Sequence, residues 1–305
     1  MYYVIVNGKS ADNGDLRHAV ERARGAGHEV AVRVTWEGGD AARFAGEAVA
    51  LGADVVVAAG GDGTINEVAS ALACHDADAD ALPSLGVVPL GTANDFAHGA
   101  HLPLEVGPAV DLVLASTPTP IDLLRVLDGE RTRWCVNLAS GGFGTEVTVH
   151  TDPQLKERLG GLSYVLTGIS KLGEVSAAHG SVRGEGFDWA GDVIALGLGN
   201  GPQAGGGQVL CPHAKLNDGL IEATIVPAPS AEGDVLGLLG TAFAEGSAAA
   251  LHALATTARS PWFELSAPAP FTLNLDGEPA TAPGFRVEAV SARLRVHLPA
   301  DCPLL

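Results

Sequence analysis

The sequence predicts an N-terminal α/β domain followed by a C-terminal domain of antiparallel strands. Three observations carry this expectation. Through residues 1–125, short apolar runs end in glycine-rich turns and give way to apolar residues at helical spacing, as βαβ units do. Past Ile121 the pattern changes to strand-like alternation, with Gly and Pro turns between successive runs. A chain of 305 residues also has room for two domains of about 150 residues each. The expected domains are 1–125 and 126–289. The segment 290–305 is a candidate to complete the first domain, although linear order leaves it open to either.

The first strand is the apolar run Val4-Ile5-Val6, stopped by Asn7-Gly8-Lys9-Ser10. Leu16, Ala19, Val20 and Ala23 then recur on one helical face. A second strand over 29–34 leads to Thr35 and a helix with Ala41, Phe44, Ala45 and Ala48 on one side. The third, over 54–59, is continuously apolar, as a strand buried on both faces of a parallel sheet must be. It runs into Gly60-Gly61-Asp62-Gly63-Thr64, and Ile65, Val68, Ala69 and Leu72 mark the helix that follows. A fourth strand, 85–90, opens through Gly91-Thr92-Ala93-Asn94 into another helix. In the second half, strands are expected near 134–138, 193–198, 220–226, 271–275 and 285–290, with helices over 155–172 and 235–254. The tail 293–298 reads as a further, half-exposed strand. Strand following strand here reads as a sandwich or a mixed barrel.

Composition excludes several function classes. Eighteen Lys and Arg against 36 Asp and Glu give a formal charge of −18, which argues against steering to nucleic acid. No apolar stretch reaches the roughly 20 residues of a bilayer span, and the first residues lack a signal-peptide pattern. Cys74, Cys135, Cys211 and Cys302 are isolated from one another, so a reduced cytoplasmic protein is the expectation.

Parallel strands bring their ends to one edge, where Asn7 to Ser10, Thr35, Gly60 to Thr64 and Gly91 to Asn94 together read as a nucleotide triphosphate cradle. Neither a dinucleotide GxGxxG spacing nor a GxxxxGK[ST] loop is present. Asp62 would repel bare phosphate, so it holds phosphate-bound Mg²⁺, accepts a proton or fixes the loop. Asp276-Gly277 reads either as a hairpin turn or as part of an oxygen-rich cation site, and Asp218-Gly219 carries the same two readings.

GGDGTINEV at 60–68, PLGTANDFA at 89–97, NLASGGFGTE at 137–146, GNGPQAGGGQVLCPHAKLNDGL at 199–220 and NLDGEP at 274–279 resemble the diacylglycerol-kinase catalytic family, in its bacterial YegS-type lipid-kinase branch. The resemblance covers essentially the whole chain. It implies a three-layer α/β nucleotide domain like those of phosphofructokinases and NAD kinases, a C-terminal antiparallel β-sandwich, and a site in the cleft between them. It further implies an ATP-dependent kinase acting on a lipid alcohol such as phosphatidylglycerol or diacylglycerol, cytoplasmic and in transient contact with the inner-membrane surface. By the same resemblance Thr35, the segment Gly61, Asp62, Gly63, Thr64, Ile65, Asn66 and Glu67, and Thr92 contact ATP, with Gly60 and Asn94 in the same loops. Asn7 and Lys9 lie near the phosphates, in a loop that reads NPxSG in the wider family and Asn7-Gly8-Lys9-Ser10 here. A structural Mg²⁺ site, able to take Ca²⁺, falls on the carbonyls of Lys215 and Leu220 and the carboxylate of Asp218. Glu278 is the implied proton acceptor, with Asp276 as metal ligand or orienting group, and Asp62 and Asp276 approaching catalytic Mg²⁺ from two sides. Two rivals remain: an NAD-kinase-like enzyme with a soluble acceptor, since those enzymes also carry GGDGT, and a nucleotide-binding protein without turnover.

Overall fold

The computed structural model describes residues 1–142, 178–228 and 255–305. The helices expected over 155–172 and 235–254, and residues 143–146 of the NLASGGFGTE stretch, lie outside the described residues.

The first domain is built on four parallel strands, β1 (Tyr2–Val6), β2 (Val30–Val34), β3 (Val55–Gly60) and β4 (Ser84–Pro89), in the order β4-β3-β1-β2. Between and after them come α1 (Gly14–Gly25), α2 (Asp40–Ala50), α3 (Asp62–Ala73), α4 (Asp95–Gly99) and α5 (Val106–Ala115). The two-residue period of a strand sends alternate side chains to opposite faces. Val55, Val57 and Ala59 pack with Leu16 and Val20 of α1 and with Val113 of α5. Val56 and Ala58 meet Phe44 of α2 and Val68 and Leu72 of α3. The result is helix, sheet, helix in three layers. Local signals fix the boundaries: Asn13 caps α1 by accepting from the Leu16 amide at 2.9 Å.

The second domain is antiparallel. It comprises β5 (Thr119–Asp128), β6 (Arg131–Cys135), β7 (Leu138–Gly142), β8 (Ala178–Gly184), β9 (Phe187–Gly199), β10 (Gln203–Ala204), β11 (Gln208–Val209), β12 (Ile221–Pro227), β13 (Thr256–Ser260), β14 (Trp262–Leu275) and β15 (Glu278–Val296). Both β7 and β8 pair with β9 and with β14, so those two long strands bend around a common core that includes Phe263, Phe271 and Phe285. Among the described residues, no helix is long and apolar enough to cross a membrane.

The last strand departs from the expectation. Residues 285–290 and 293–298 read as two strands, but β15 is one strand of 19 residues. The apparent break is a bulge: Ala292 has φ 50° and the register against β5 slips between Val290 and Leu294. Beyond it, Val296 pairs in parallel with Leu85 of β4, while Leu298, Cys302 and Leu304 enter the core beneath α2 and α3.

Candidate active site

The carboxyl ends of the parallel strands form a level row. Val6 pairs with both Val34 and Ala59, and Gly60 pairs with Pro89. The ladder extends one step further through Asn7 N to Ala59 O at 2.9 Å, Thr35 N to Val6 O at 2.9 Å and Leu90 N to Gly60 O at 2.8 Å. Asn7, Thr35, Gly60 and Gly91 therefore stand at one edge. Side chains stitch them together: Asn7 Nδ2 donates to Thr64 Oγ1 at 3.0 Å, and Gly8 N donates to Thr35 Oγ1 at 3.0 Å. Lys9 is exposed beside them, its amide held by Asn7 Oδ1 at 3.0 Å. The glycine at position 8 is required by space, because a Cβ there would stand 2.3 Å from Thr35 O.

Helix α3 starts at Gly61 without a side-chain cap. The amides of Asp62 and Gly63 take no acceptor among the described residues, which makes this helix start ready for an anion. Ile65 is buried in the core, so only its backbone faces this edge; Asn66 is buried as well. Glu67 accepts from Ala42 N at 3.3 Å and so caps α2. Thr92 is exposed, while Asn94 folds back on Gly91, accepting its amide and donating to its carbonyl, both at 2.9 Å. The two glycine loops are in backbone contact. A Cβ on Gly91 would lie 2.4 Å from Gly61 Cα and 2.7 Å from Asn94 Oδ1. Gly91→Ala is therefore expected to push the loops apart, costing about 1–3 kcal/mol of stability and weakening ATP binding. Chemical denaturation and titration with ATP check the two effects.

Asp62 holds the loops in register. Its Oδ2 accepts from Asp95 N at 3.0 Å and its Oδ1 from Phe96 N at 3.1 Å, at the start of α4. Asp95 continues the chain of carboxylates, accepting from Gly206 N at 2.9 Å and Gly207 N at 2.7 Å in the second domain. Gly205, Gly206 and Gly207 all have positive φ, a run that only glycine adopts at low cost. Sequence reasoning quoted both motifs yet missed Asp95 as their link. The available signal was a carboxylate in one glycine motif and a triple glycine in the other.

Glu278 and Asp276 flank the β14–β15 hairpin but face different surroundings. Glu278 is exposed and lines a cleft of about 490 Å³, together with Glu67 and Ser70 of α3, Gly39 ahead of α2, and Arg133 and Trp134 of β6. Among the described residues its carboxylate has no hydrogen-bond or ion-pair partner. Asp276, at φ 50°, turns its carboxylate inward, accepting from Val136 N at 2.6 Å, Asn137 N at 3.1 Å and Leu138 N at 2.9 Å. Burial pushes this carboxyl group above its ordinary pKa, opposed by the three amides.

Lys215, Asp218 and Leu220 sit on the loop before β12. Asp218 Oδ1 accepts from Leu220 N at 3.0 Å and Oδ2 is paired with Arg259 of β13, while Lys215 Nζ donates to Pro303 O at 2.7 Å. Buried Asp122 lies beside them, accepting from Gly219 N at 2.7 Å and Ala292 N at 2.9 Å. Desolvation, reinforced by the Asp218 charge, raises its pKa. Asp122 was missed as well; its signal is an acid inside the apolar run Ile121 to Leu124. The Asp218 carboxylate is thus engaged by Arg259 and the Leu220 amide, and a hard divalent cation there would have to compete with Arg259 for it. Among the described residues no three His, Cys, Asp or Glu side chains cluster for a metal.

Comparison with known proteins identifies the class as kinases built on a diacylglycerol kinase catalytic domain. The model of that domain matches residues 1–126, and the YegS C-terminal NAD kinase beta sandwich-like domain matches residues 137–298. The chain belongs to the YegS-like branch of this family. It is similar to the probable lipid kinases YegS-like of Xanthomonas euvesicatoria pv. vesicatoria, at 56% identity over 99% of this chain and 97% of that one, and of Pseudomonas aeruginosa, at 47% over 99% and 95%. A crystal structure of a putative diacylglycerol kinase from Bacillus anthracis shares the fold, with a TM-score of 0.78 at 20% identity over 99% of this chain and 97% of that one.

Proposed function

We propose that the chain transfers the γ-phosphoryl group of ATP to the hydroxyl of a membrane lipid, phosphatidylglycerol or diacylglycerol being the acceptor. It is an ATP-dependent lipid kinase, and the observation that carries the assignment of the proton acceptor is the carboxylate of Glu278, unpartnered among the described residues, in a cleft shared with α3. The amides at the start of α3, with Asn7, Lys9, Thr35 and Thr92, hold the nucleotide, its phosphates lying on the segment from Gly60 to Glu67 and beside Asn94. Asp62 keeps the two glycine loops together; each of its oxygens accepts one amide, which leaves lone pairs for Mg²⁺ or its waters. Asp276 orients the hairpin that carries Glu278.

In the reaction the lipid hydroxyl oxygen bonds to the γ-phosphorus as the bridging oxygen to the β-phosphate departs with ADP. The hydroxyl proton passes to Glu278. Mg²⁺, when bound, offsets the charge on the phosphates. A second cation, Mg²⁺ or Ca²⁺, would be held by Asp218, in competition with Arg259, and by the carbonyls of Lys215 and Leu220, where it would brace the loop before β12. The nucleotide domain comprises 1–125 with 290–305, and the acceptor side is supplied by 126–289. Supporting that division, Val296 pairs with β4 and Leu304 lies in the first domain's core. The enzyme works in the cytoplasm and meets its substrate at the inner-membrane surface.

The test is transfer from ATP carrying a radiolabelled γ-phosphate, with Mg²⁺, to phosphatidylglycerol and diacylglycerol in mixed micelles and to NAD as a soluble acceptor. Label in one of the lipids is the expected result. Label in NAD alone, or in nothing while ATP binds, overturns the acceptor assignment.

A further inference from the structure

Among the described residues, the nucleotide cradle is rich in amides and poor in surface for a base. Asn7, Gly8, Lys9, Thr35 and the two glycine loops are polar or lack side chains, and Ile65 is buried in the core. Trp36 is the exception. It follows Thr35 directly and is 94% exposed, although tryptophan is a residue folded proteins mostly cover. Val34, on the other side of Thr35, is exposed too. The backbone carrying the indole is fixed: Asp40, buried at the start of α2, accepts from Trp36 N at 2.7 Å and Glu37 N at 3.2 Å and pairs with Arg43 at 2.6 Å. These contacts hold the Asp40 carboxyl at a pKa of about 2, so the clamp persists at any working pH.

Strand order gives the exposed indole a function. The open amides of α3 lie at the end of β3, and on the side toward β4 the backbone contact of Gly61 with Gly91 sets the loop from Thr92 to Asn94 beside the phosphates. A nucleotide with its phosphates on α3 therefore extends the other way, past β1 to the edge strand β2. Neighbouring strands are about 4.8 Å apart, so Thr35 stands roughly 10 Å along the row from Gly60. A triphosphate and ribose cover that distance and deliver the base at or beyond β2, where Trp36 stands.

We propose that Trp36 is the platform on which the purine of the bound nucleotide stacks, a positioning residue for ATP at the edge of the sheet. The inference rests on the nucleotide reading above and is tested by binding alone. Trp36→Ala is expected to weaken ATP binding about tenfold while leaving affinity for inorganic tripolyphosphate unchanged. Trp36→Phe, which keeps a ring, recovers most of the loss. ATP should also quench tryptophan emission in the wild-type chain and much less in Trp36→Ala. An unchanged ATP affinity in Trp36→Ala overturns the proposal. So does equal weakening for tripolyphosphate, which would mean loop damage. Loss of cosedimentation with phosphatidylglycerol vesicles at unchanged ATP affinity overturns it in favour of a lipid-surface role. Should the wild-type chain bind no ATP, the nucleotide reading itself falls; if it binds ATP and only the Trp36 variants behave like wild type, that reading stands and the platform falls.

Discussion

Glu278→Gln is expected to lower turnover by about 10²–10⁴-fold, the span associated with loss of a positioned general base, while the Kd for ATP stays within about twofold. The substitution keeps shape and reach and removes only the capacity to take a proton. Glu278 is suited to that test because it has no partner among the described residues whose loss would disturb the fold. Its position is set by backbone: it pairs with Leu275 across the hairpin and begins the strand that runs through both domains. Steady-state rates with ATP and lipid micelles, set beside ATP titration, check the prediction. Turnover equal to wild type would remove Glu278 from proton transfer and return attention to Glu67 and Asp62, the other acids placed near α3.

The row of strand ends was legible because its cause is local. Each glycine turn follows an apolar run, and parallel strands in one sheet must present such turns on one edge, as Asn7, Thr35, Gly60 and Gly91 do. The second domain was legible as antiparallel strands, but not in the extent of β9, β14 and β15. Those strands carry shifts or bulges, at 266–271 in β14 and at Ala292 in β15, that interrupt the two-residue alternation without ending the strand. The carboxylate wiring was the least legible. Asp62 to Phe96 spans 34 residues and Asp95 to Gly207 spans 112, and neither end of such a bond carries a mark of its partner. Asp276 shows the same limit more sharply: Asp-Gly announces a turn, whereas the direction of its carboxylate depends on where Val136 to Leu138 pass beneath it.

Asp276→Ala is expected to be the most destabilising of these substitutions. Three amides lose their acceptor at once, at a site closed off by Leu275, Leu138 and Cys135. Each buried donor left unpaired costs about 1–3 kcal/mol, and incomplete relaxation puts the sum near 3–5 kcal/mol. In a chain of this size that is a fall in Tm of about 5–8 °C. Asp276→Asn separates acceptor from charge, since it retains one carbonyl oxygen and cannot ionise. Because the folded carboxyl pKa is raised by burial, the wild-type protein loses stability from this group as pH rises through that value, and holds it fully below the unfolded carboxylate pKa. The Asn variant should show a smaller fall in Tm than Ala at neutral pH and should lack that pH dependence. Both should lower kcat with little change in the KM for ATP, because the hairpin that aims Glu278 is loosened while the glycine loops are untouched. Thermal melts across acid pH and kinetics well below the melting range separate the two effects. A neutral-pH Tm for Asp276→Ala within about 1 °C of wild type, less than the shift expected from about 1 kcal/mol, would mean the three amides find water and that the carboxylate does not anchor the hairpin.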